Sequence, residues 1–133
     1  MTLRTLVITA LLGSALAAAL AQPRTIEILA DKDSRYKIDG RANPTITLVA
    51  GEEVRLVITA RRAKTANRNG AVHGFALMRA KDDVKVPDWD LELKPGVQEF
   101  VVRAPEAGEY RVVCTVICSS GHEDMQMKVI VRN

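Results

Sequence analysis

Short stretches in which polar and apolar residues alternate limit the possible folds of this chain more than any other feature. These stretches, together with short runs rich in apolar residues, occupy residues 25–29, 45–49, 54–59, 71–78, 97–102, 110–116 and 125–131. Alternation places every second side chain on one face of an extended strand. Turn signals such as Lys94-Pro95-Gly96 separate the stretches, and no segment beyond residue 21 shows a sustained helical period. The sequence therefore predicts an all-β sandwich or barrel of about seven strands, in which residues 82–90 form a loop with a short extended piece.

The first 21 residues have a different character from the rest of the chain. A short, mildly positive lead is followed by an apolar stretch at residues 6–21 that ends in small residues, Ala-x-Ala. This order is typical of a secretory signal peptide, and we expect cleavage after Ala21. An uncleaved membrane anchor is the alternative, although the stretch is short for a span of about 20 residues. We therefore expect an exported, periplasmic protein with one domain, residues 22–133, and no stable membrane insertion after cleavage.

The charge of the chain is too small to indicate a nucleic-acid or anionic-membrane partner. The net charge is +3, and it falls to +2 without Arg4 of the leader. Four basic residues do cluster at Arg61, Arg62, Lys64 and Arg68. This cluster is either a solvated loop or a docking patch for an acidic partner.

The segment at residues 109–125, EYRVVCTVICSSGHEDM, contains a compact set of potential metal ligands. Cys114, Cys118, His122 and Met125 are spaced C-x3-C-x3-H-x2-M. Thiolate, imidazole and thioether are soft or borderline ligands, which together favour copper, above all Cu(I). A strand that ends near Cys114 and a turn at residues 119–121 can bring all four to one place.

A further ligand has to come from elsewhere, and the chain has only one other histidine. His73 lies in the sequence VHGF, where Gly74 leaves room for a close backbone approach. A disulfide between Cys114 and Cys118 is the alternative, because exported proteins often form one. The histidine and methionine beside the cysteines favour a metal site instead.

With the VHGF segment, the sequence Gly-Glu-Tyr at residues 108–110 and the C-x3-C-x3-H-x2-M spacing, the chain resembles the cupredoxins. Within them it resembles the CuA domain of cytochrome oxidase subunit II and nitrous-oxide reductase, over roughly residues 25–133. The resemblance implies a Greek-key β-sandwich that holds two copper ions. It also implies the ligands: bridging thiolates of Cys114 and Cys118, one imidazole for each copper from His73 and His122, a weak axial Met125, and the backbone carbonyl of Val116.

The chain departs from that family at positions that bear on function. Val116 stands where the family usually has glutamate, whose side chain serves a second metal in oxidases. Trp89 is the only tryptophan, and nothing matches the aromatic cluster through which the oxidase subunit receives electrons. Both departures argue against a working oxidase subunit. Ser119 replaces the usual glycine, and we expect that change to have a small effect.

The resemblance implies an electron carrier rather than an enzyme. Protein ligands would fill every position around the metal, so no position remains for a substrate. Two histidines are too few for a trinuclear copper cluster or for the catalytic cluster of nitrous-oxide reductase. Two alternatives stay open: a chaperone that delivers copper to a respiratory oxidase, and a mononuclear site made by His73, Cys118, His122 and Met125. The expected partner is accordingly a redox protein such as a cytochrome, or a copper-accepting oxidase domain.

Overall fold

The computed structural model describes residues 22–133, so the predicted signal peptide, residues 1–21, lies outside the described part of the chain. The described chain consists of strands joined by turns and loops, with a single 3-10 turn at His122–Asp124. The strands are β1 (Arg24–Ala30), β2 (Tyr36–Ile38), β3 (Arg41–Ala42), β4 (Thr45–Val49), β5 (Glu53–Ala60), β6 (His73–Arg79), β7 (Lys85–Leu93), β8 (Gly96–Arg103), β9 (Gly108–Val113) and β10 (Gln126–Arg132). Within residues 22–133, no helix has the length and apolar character that a membrane span requires.

The strands form two five-stranded sheets. One has the order β3-β2-β1-β5-β8 and the other the order β4-β10-β9-β6-β7. Most neighbours are antiparallel, but β1 runs parallel to β5, and β4 runs parallel to β10. Parallel neighbours require the chain to cross between the sheets rather than turn back in a hairpin. The predicted all-β sandwich is confirmed.

The core lies between the two sheets and follows the alternation seen in the sequence. In β5, Val54, Leu56, Ile58 and Ala60 are buried, while the residues between them are partly exposed. The strands β4 and β10 alternate in the same way. Each fully buried aliphatic side chain contributes about 1.5–3 kcal/mol relative to an exposed one. The sandwich is therefore stabilised by the same pattern that predicted it.

The structure has ten strands where the sequence predicted about seven. Residues 82–90 contain more strand than the loop with a short extended piece that was expected, because β7 covers residues 85–93 and pairs with β6. Only Trp89 and Leu93 of β7 are buried, and a bulge between Ala76 and Met78 shifts the register of the pairing. This strand therefore shows no regular alternation. The strands β2 and β3 are too short to produce a recognisable period.

One end of the sandwich gathers the loops that follow or precede the central strands. The loop at 31–35 joins β1 to β2, the loop at 61–72 joins β5 to β6, and the loop at 114–125 joins β9 to β10. We call the last of these the ligand loop. It begins earlier than expected, because β9 ends at Val113 rather than at residue 116. All the predicted metal ligands lie at this end.

Candidate metal centre

Three of the predicted ligand residues lie together at the loop-bearing end of the sandwich. The potential ligand atoms of His73, Cys114 and Cys118 all lie within 4.8 Å of one another, and all three residues are buried. The two Sγ atoms are 3.7 Å apart, and both cysteines are free. Residues separated by 41 positions in the sequence thus form one compact thiol and imidazole cluster.

The ring of His73 is held in one orientation by a backbone carbonyl. His73 is the first residue of β6, and its Nε2 lies 2.7 Å from the carbonyl oxygen of Arg61. A carbonyl can only accept, so Nε2 carries the hydrogen and donates it. In the neutral ring Nδ1 then keeps a free lone pair, and burial, which lowers the pKa of His73, favours that neutral form. Metal-binding histidines commonly donate their second nitrogen in this way.

Cys114, the second member of the cluster, lies immediately after β9. Its Sγ accepts a hydrogen bond from the backbone N–H of Gly74 at 3.4 Å and lies 3.1 Å from the carbonyl oxygen of Val116. Burial raises the pKa of the Cys114 thiol to about 11. The thiol is therefore protonated near neutral pH, and metal binding as a thiolate releases its proton.

The backbone around Cys118 is attached to the neighbouring loop. Its carbonyl oxygen accepts hydrogen bonds from the N–H groups of Lys64 and Thr65, each at 2.9 Å. The hydroxyl of Thr65 also donates to the carbonyl of Ile117. The basic residues noted in the sequence therefore belong to a loop that is fastened directly to the ligand loop.

Cys118 also has a neighbour that the sequence did not indicate. The Oγ of Ser34 lies 3.5 Å from its Sγ and 2.6 Å from the Oγ of Ser119. Ser34 belongs to the loop at 31–35 and is buried. Nothing in the local sequence marks this serine, because only the pairing of β1 with β2 and β5 brings its loop to the site.

His122 and Met125 lie on the same loop but differ in their relation to the cluster. His122 is half-buried in the 3-10 turn and is not a member of the group within 4.8 Å. Met125 is fully buried just before β10, and its N–H donates to the carbonyl of His122 at 3.1 Å. Their roles as ligands remain predictions.

The hydrogen-bond inventory of the described residues fits a metal at this place. Among residues 22–133, three buried side-chain nitrogens have no partner: Nδ1 of His73, Nδ1 of His122 and Nε of Arg111. Buried polar atoms are normally hydrogen-bonded, so each exception requires an explanation. Two of the three belong to the two predicted histidine ligands. The imidazole of His73 and the two buried thiols form a donor set suited to copper.

Trp89 has a structural role. Its side chain is buried, and its Nε1 donates to the carbonyl oxygen of Arg103 at 2.8 Å. Hydrogen-bonding of the indole N–H is the usual condition for burying tryptophan. The only tryptophan is therefore part of the core and does not form an aromatic surface.

Comparisons with known proteins identify the fold. No protein-family model and no curated protein sequence matches the chain. Rusticyanin from Thiobacillus ferrooxidans is similar with a TM-score of 0.57 and 20% identity, over 84% of this chain and 79% of that one. Reduced rusticyanin is similar with a TM-score of 0.56 and 19% identity, over 84% and 82%. A heme-copper terminal oxidase dimer is similar with a TM-score of 0.51 and 20% identity, over 82% of this chain and 65% of that one.

At 19–20% sequence identity, the similarity to these structures shows a shared fold and no more. The two-sheet architecture and the structural neighbours agree with the cupredoxin fold expected from the sequence; they do not distinguish the CuA domain within it. The chain has a cupredoxin-like β-sandwich fold.

Proposed function

We propose that this protein binds copper at the cluster of His73, Cys114 and Cys118 and transfers electrons. The observation that supports the proposal best is the cluster itself, because the potential ligand atoms of His73, Cys114 and Cys118 lie within 4.8 Å of one another. In addition, the buried Nδ1 atoms of His73 and His122 have no hydrogen-bond partner among the described residues. A buried imidazole nitrogen without a hydrogen-bond partner is costly unless a metal or a proton donor uses it.

We further propose a dinuclear CuA-type centre, in which Cys114 and Cys118 bridge two copper ions. The position of Cys114 supports this, because its Sγ lies inside the cluster and 3.7 Å from that of Cys118. The mononuclear alternative leaves Cys114 as a bystander, although its ligand atom belongs to the same compact group as those of His73 and Cys118. The carbonyl of Val116, 3.1 Å from Cys114 Sγ, is available as the weak ligand that the resemblance implies.

The contribution of the chain is to hold these ligands still. When bound, a thiolate-bridged copper pair supplies one unpaired electron shared between two ions. The Arg61 carbonyl fixes the ring of His73, while Lys64 and Thr65 fix the backbone of Cys118. Small rearrangement between oxidised and reduced forms favours rapid electron transfer, and a site filled by protein ligands favours a carrier over an enzyme.

We propose that the protein acts after export, in the periplasm or an equivalent compartment, with a redox protein such as a cytochrome as its partner. The exposed Ile117 and the loop with Arg61, Arg62 and Lys64 lie next to the cluster. We propose that the partner docks on this surface, because Ile117 precedes Cys118 and the N–H of Lys64 binds the Cys118 carbonyl.

Copper delivery to a respiratory oxidase is a second candidate, and one observation favours it. His122 lies outside the compact group, and its side chain is partly exposed although its Nδ1 is buried. A ligand of this kind can open a route for metal to leave. A carrier, in contrast, keeps its metal throughout the redox cycle.

Mixing the copper-loaded protein with each class of partner separates the two functions. We expect rapid electron exchange with a reduced cytochrome, measured by stopped-flow absorption, while the copper content of the protein stays constant. Loss of copper to a metal-free oxidase copper domain, without electron exchange, would instead establish the delivery function. Copper content after gel filtration is the matched measurement in both experiments.

A further inference from the structure

A buried serine from a distant loop connects the second cysteine of the cluster to a chain of hydrogen bonds. Ser34 is only 2% exposed, and its Oγ lies 3.5 Å from Cys118 Sγ and 2.6 Å from Ser119 Oγ. Ser119 Oγ in turn accepts the backbone N–H of Gly121 at 3.1 Å. Four groups therefore form one continuous path that ends at the sulfur.

The direction of this path follows from the number of protons available. Each hydroxyl has one proton to donate, and the N–H of Gly121 can only donate. When Cys118 is a thiolate it can only accept, so Ser34 donates to the sulfur and Ser119 donates to Ser34. Every donor is then used, and the thiolate receives one hydrogen bond.

The same path can run in the opposite direction in the copper-free protein. The Cys118 thiol then donates its S–H to Ser34, and Ser34 donates to Ser119. Ser119 is partly exposed, so its own proton can point to solvent. The two serines thus satisfy the sulfur in both protonation states without any change in position.

The backbone of Ser34 indicates that its side chain is held in place by its surroundings. Ser34 has φ of 58°, a left-handed conformation that residues other than glycine seldom adopt. The turn is fixed by hydrogen bonds from Ser34 N to Asp31 O at 3.1 Å and from Asp31 N to Arg35 O at 3.0 Å. Such conformations persist where neighbouring contacts enforce them, often near functional sites.

We propose that Ser34, supported by Ser119, is a positioning residue that sets the reduction potential of the centre through Cys118. This inference rests on the copper site of the proposed function. A donor to a copper-bound thiolate stabilises the more electron-rich, reduced state, and hydrogen bonding around such sulfurs is known to tune potential. Ser119, which replaces the glycine usual in the family that the chain resembles, supplies the second link.

The test removes the hydroxyl in two ways that affect the backbone differently. Ser34→Ala keeps the unfavourable φ, whereas Ser34→Gly relieves it. Both variants lose the hydrogen bond, so we expect both to lower the equilibrium constant for reduction by similar factors, up to about tenfold, or about 59 mV for a one-electron couple. Ser119→Gly should also lower the equilibrium constant for reduction, but by a smaller factor. Ser120→Ala is the control, because Ser120 is exposed and makes no side-chain hydrogen bond among the described residues.

Spectroelectrochemistry on the copper-loaded proteins gives the potentials, together with the energy of the sulfur-to-copper absorption band. A purely structural role of Ser34 would make the potential follow the unfolding stability, so Ser34→Ala and Ser34→Gly would then differ in potential. That result would overturn the proposal. Unchanged potentials in both variants, at unchanged copper content, would overturn it too.

A second measurement separates failure of this inference from failure of the copper proposal. In the copper-free protein, the infrared S–H stretch of Cys118 should move to higher frequency in Ser34→Gly, because the thiol loses its acceptor. An unchanged S–H band would contradict the hydrogen-bond chain whether or not copper binds. If the band shifts in Ser34→Gly but the wild-type protein takes up no copper, only the copper site is refuted.

Discussion

At the scale of single residues, the candidate centre depends on which atoms are left free by their neighbours. The Arg61 carbonyl accepts the hydrogen of His73 Nε2, and Nδ1 of the same ring has no hydrogen-bond partner among the described residues. The spacing of the ligand residues could be read from the sequence, because it is local. The orientation of the ring could not, since it depends on a carbonyl twelve residues away whose position is set by the tertiary structure.

Two buried methionines allow the axial ligand to be tested with a matched control. Met125 lies in the ligand loop beside the cluster, and Met127 lies in β10 within the core. Leucine is similar in volume, so either Met→Leu change should cost less than about 1.5 kcal/mol of stability. Because a weak axial ligand tunes the metal rather than holding it, Met125→Leu should keep the copper and shift the reduction potential. Met127→Leu should leave the potential unchanged. If the wild-type protein and both variants have the same potential, Met125 is not the axial ligand.

The buried imidazole of His73 makes the stability of the copper-free protein depend on pH. Burial lowers its pKa in the folded state, whereas the unfolded ring titrates near 6.5. Below that pH the unfolded chain binds a proton that the folded chain does not, so the free energy of unfolding falls as pH falls from 7 to 5. The slope contributed by one group is at most about 1.4 kcal/mol per pH unit. Asp31, whose pKa is lowered mainly by its hydrogen bond from Lys37, loses its contribution only at more acidic pH.

Urea denaturation at several pH values measures this dependence, and His73→Gln is the comparison. The variant should show a flatter profile between pH 7 and pH 5. Parallel profiles for the two proteins would show that His73 does not cause the loss.

At the scale of elements, the ligand loop requires an unusually close approach to β6. A Cβ on Gly74 would lie 2.5 Å from the backbone N of Thr115. Because that atom belongs to the backbone, a change of side-chain rotamer cannot remove the clash. We expect Gly74→Ala to displace the ligand loop, to destabilise the protein by about 1–3 kcal/mol, and to reduce copper binding. The sequence indicated a close approach at this glycine, but not which backbone it meets.

Gly121→Ala is the matched control within the ligand loop. Gly121 has φ of −94°, and a Cβ there would meet nothing nearer than Ser119 Oγ at 3.7 Å. This variant should keep both its stability and its copper. Thermal unfolding and copper titration of the two variants check the pair, and normal copper binding by Gly74→Ala would contradict the packing argument.

Strands with a regular alternation could be predicted from the sequence, and irregular ones could not. The strand β5 alternates over eight residues and was found where expected. The strand β7 was missed because its alternation is interrupted: the five steps from Lys85 to Asp90 in β7 face only the two steps from Ala76 to Met78 in β6. Edge strands such as β7 and β3 are defined by a neighbour on one side only, and local sequence constrains them less.

At the scale of the whole molecule, charge is concentrated at the end that carries the candidate centre. Seven basic and four acidic side chains lie at this end, in the loops at 31–35, 61–72 and 114–125 and in the turn at 94–95. The rest of residues 22–133 has one more acidic than basic side chain. Exposed charges of this kind act over about 10 Å at 0.1 M salt. A small reactant should therefore experience a positive potential near Cys118.

Electron-transfer rates with small reactants of opposite charge test this distribution. Oxidation of the reduced copper protein by hexacyanoferrate should slow as salt is added, and oxidation by a cationic cobalt complex should accelerate. Lys64→Gln should weaken both trends. Lys81→Gln should not, because Lys81 is exposed in the turn between β6 and β7, at the other end of the sandwich. If the rates with both reactants do not depend on salt, the basic cluster is a solvated loop and does not steer reactants to the centre.

The architecture as a whole was more predictable than the arrangement within the site. The alternation gave the all-β class, and the C-x3-C-x3-H-x2-M spacing gave the position of the ligand loop. Contacts such as Ser34 with Cys118, or Lys64 with the Cys118 carbonyl, join segments more than 50 residues apart. No local pattern encodes such contacts, because they arise only when the two sheets have packed.

The central claim is that two thiolates in one cluster hold two copper ions. Electron paramagnetic resonance of the copper-loaded protein, with copper content measured on the same sample, tests it most directly. We predict two copper ions per chain and a spectrum in which one unpaired electron couples to two equivalent copper nuclei. One copper per chain, with coupling to a single nucleus, would contradict the dinuclear centre.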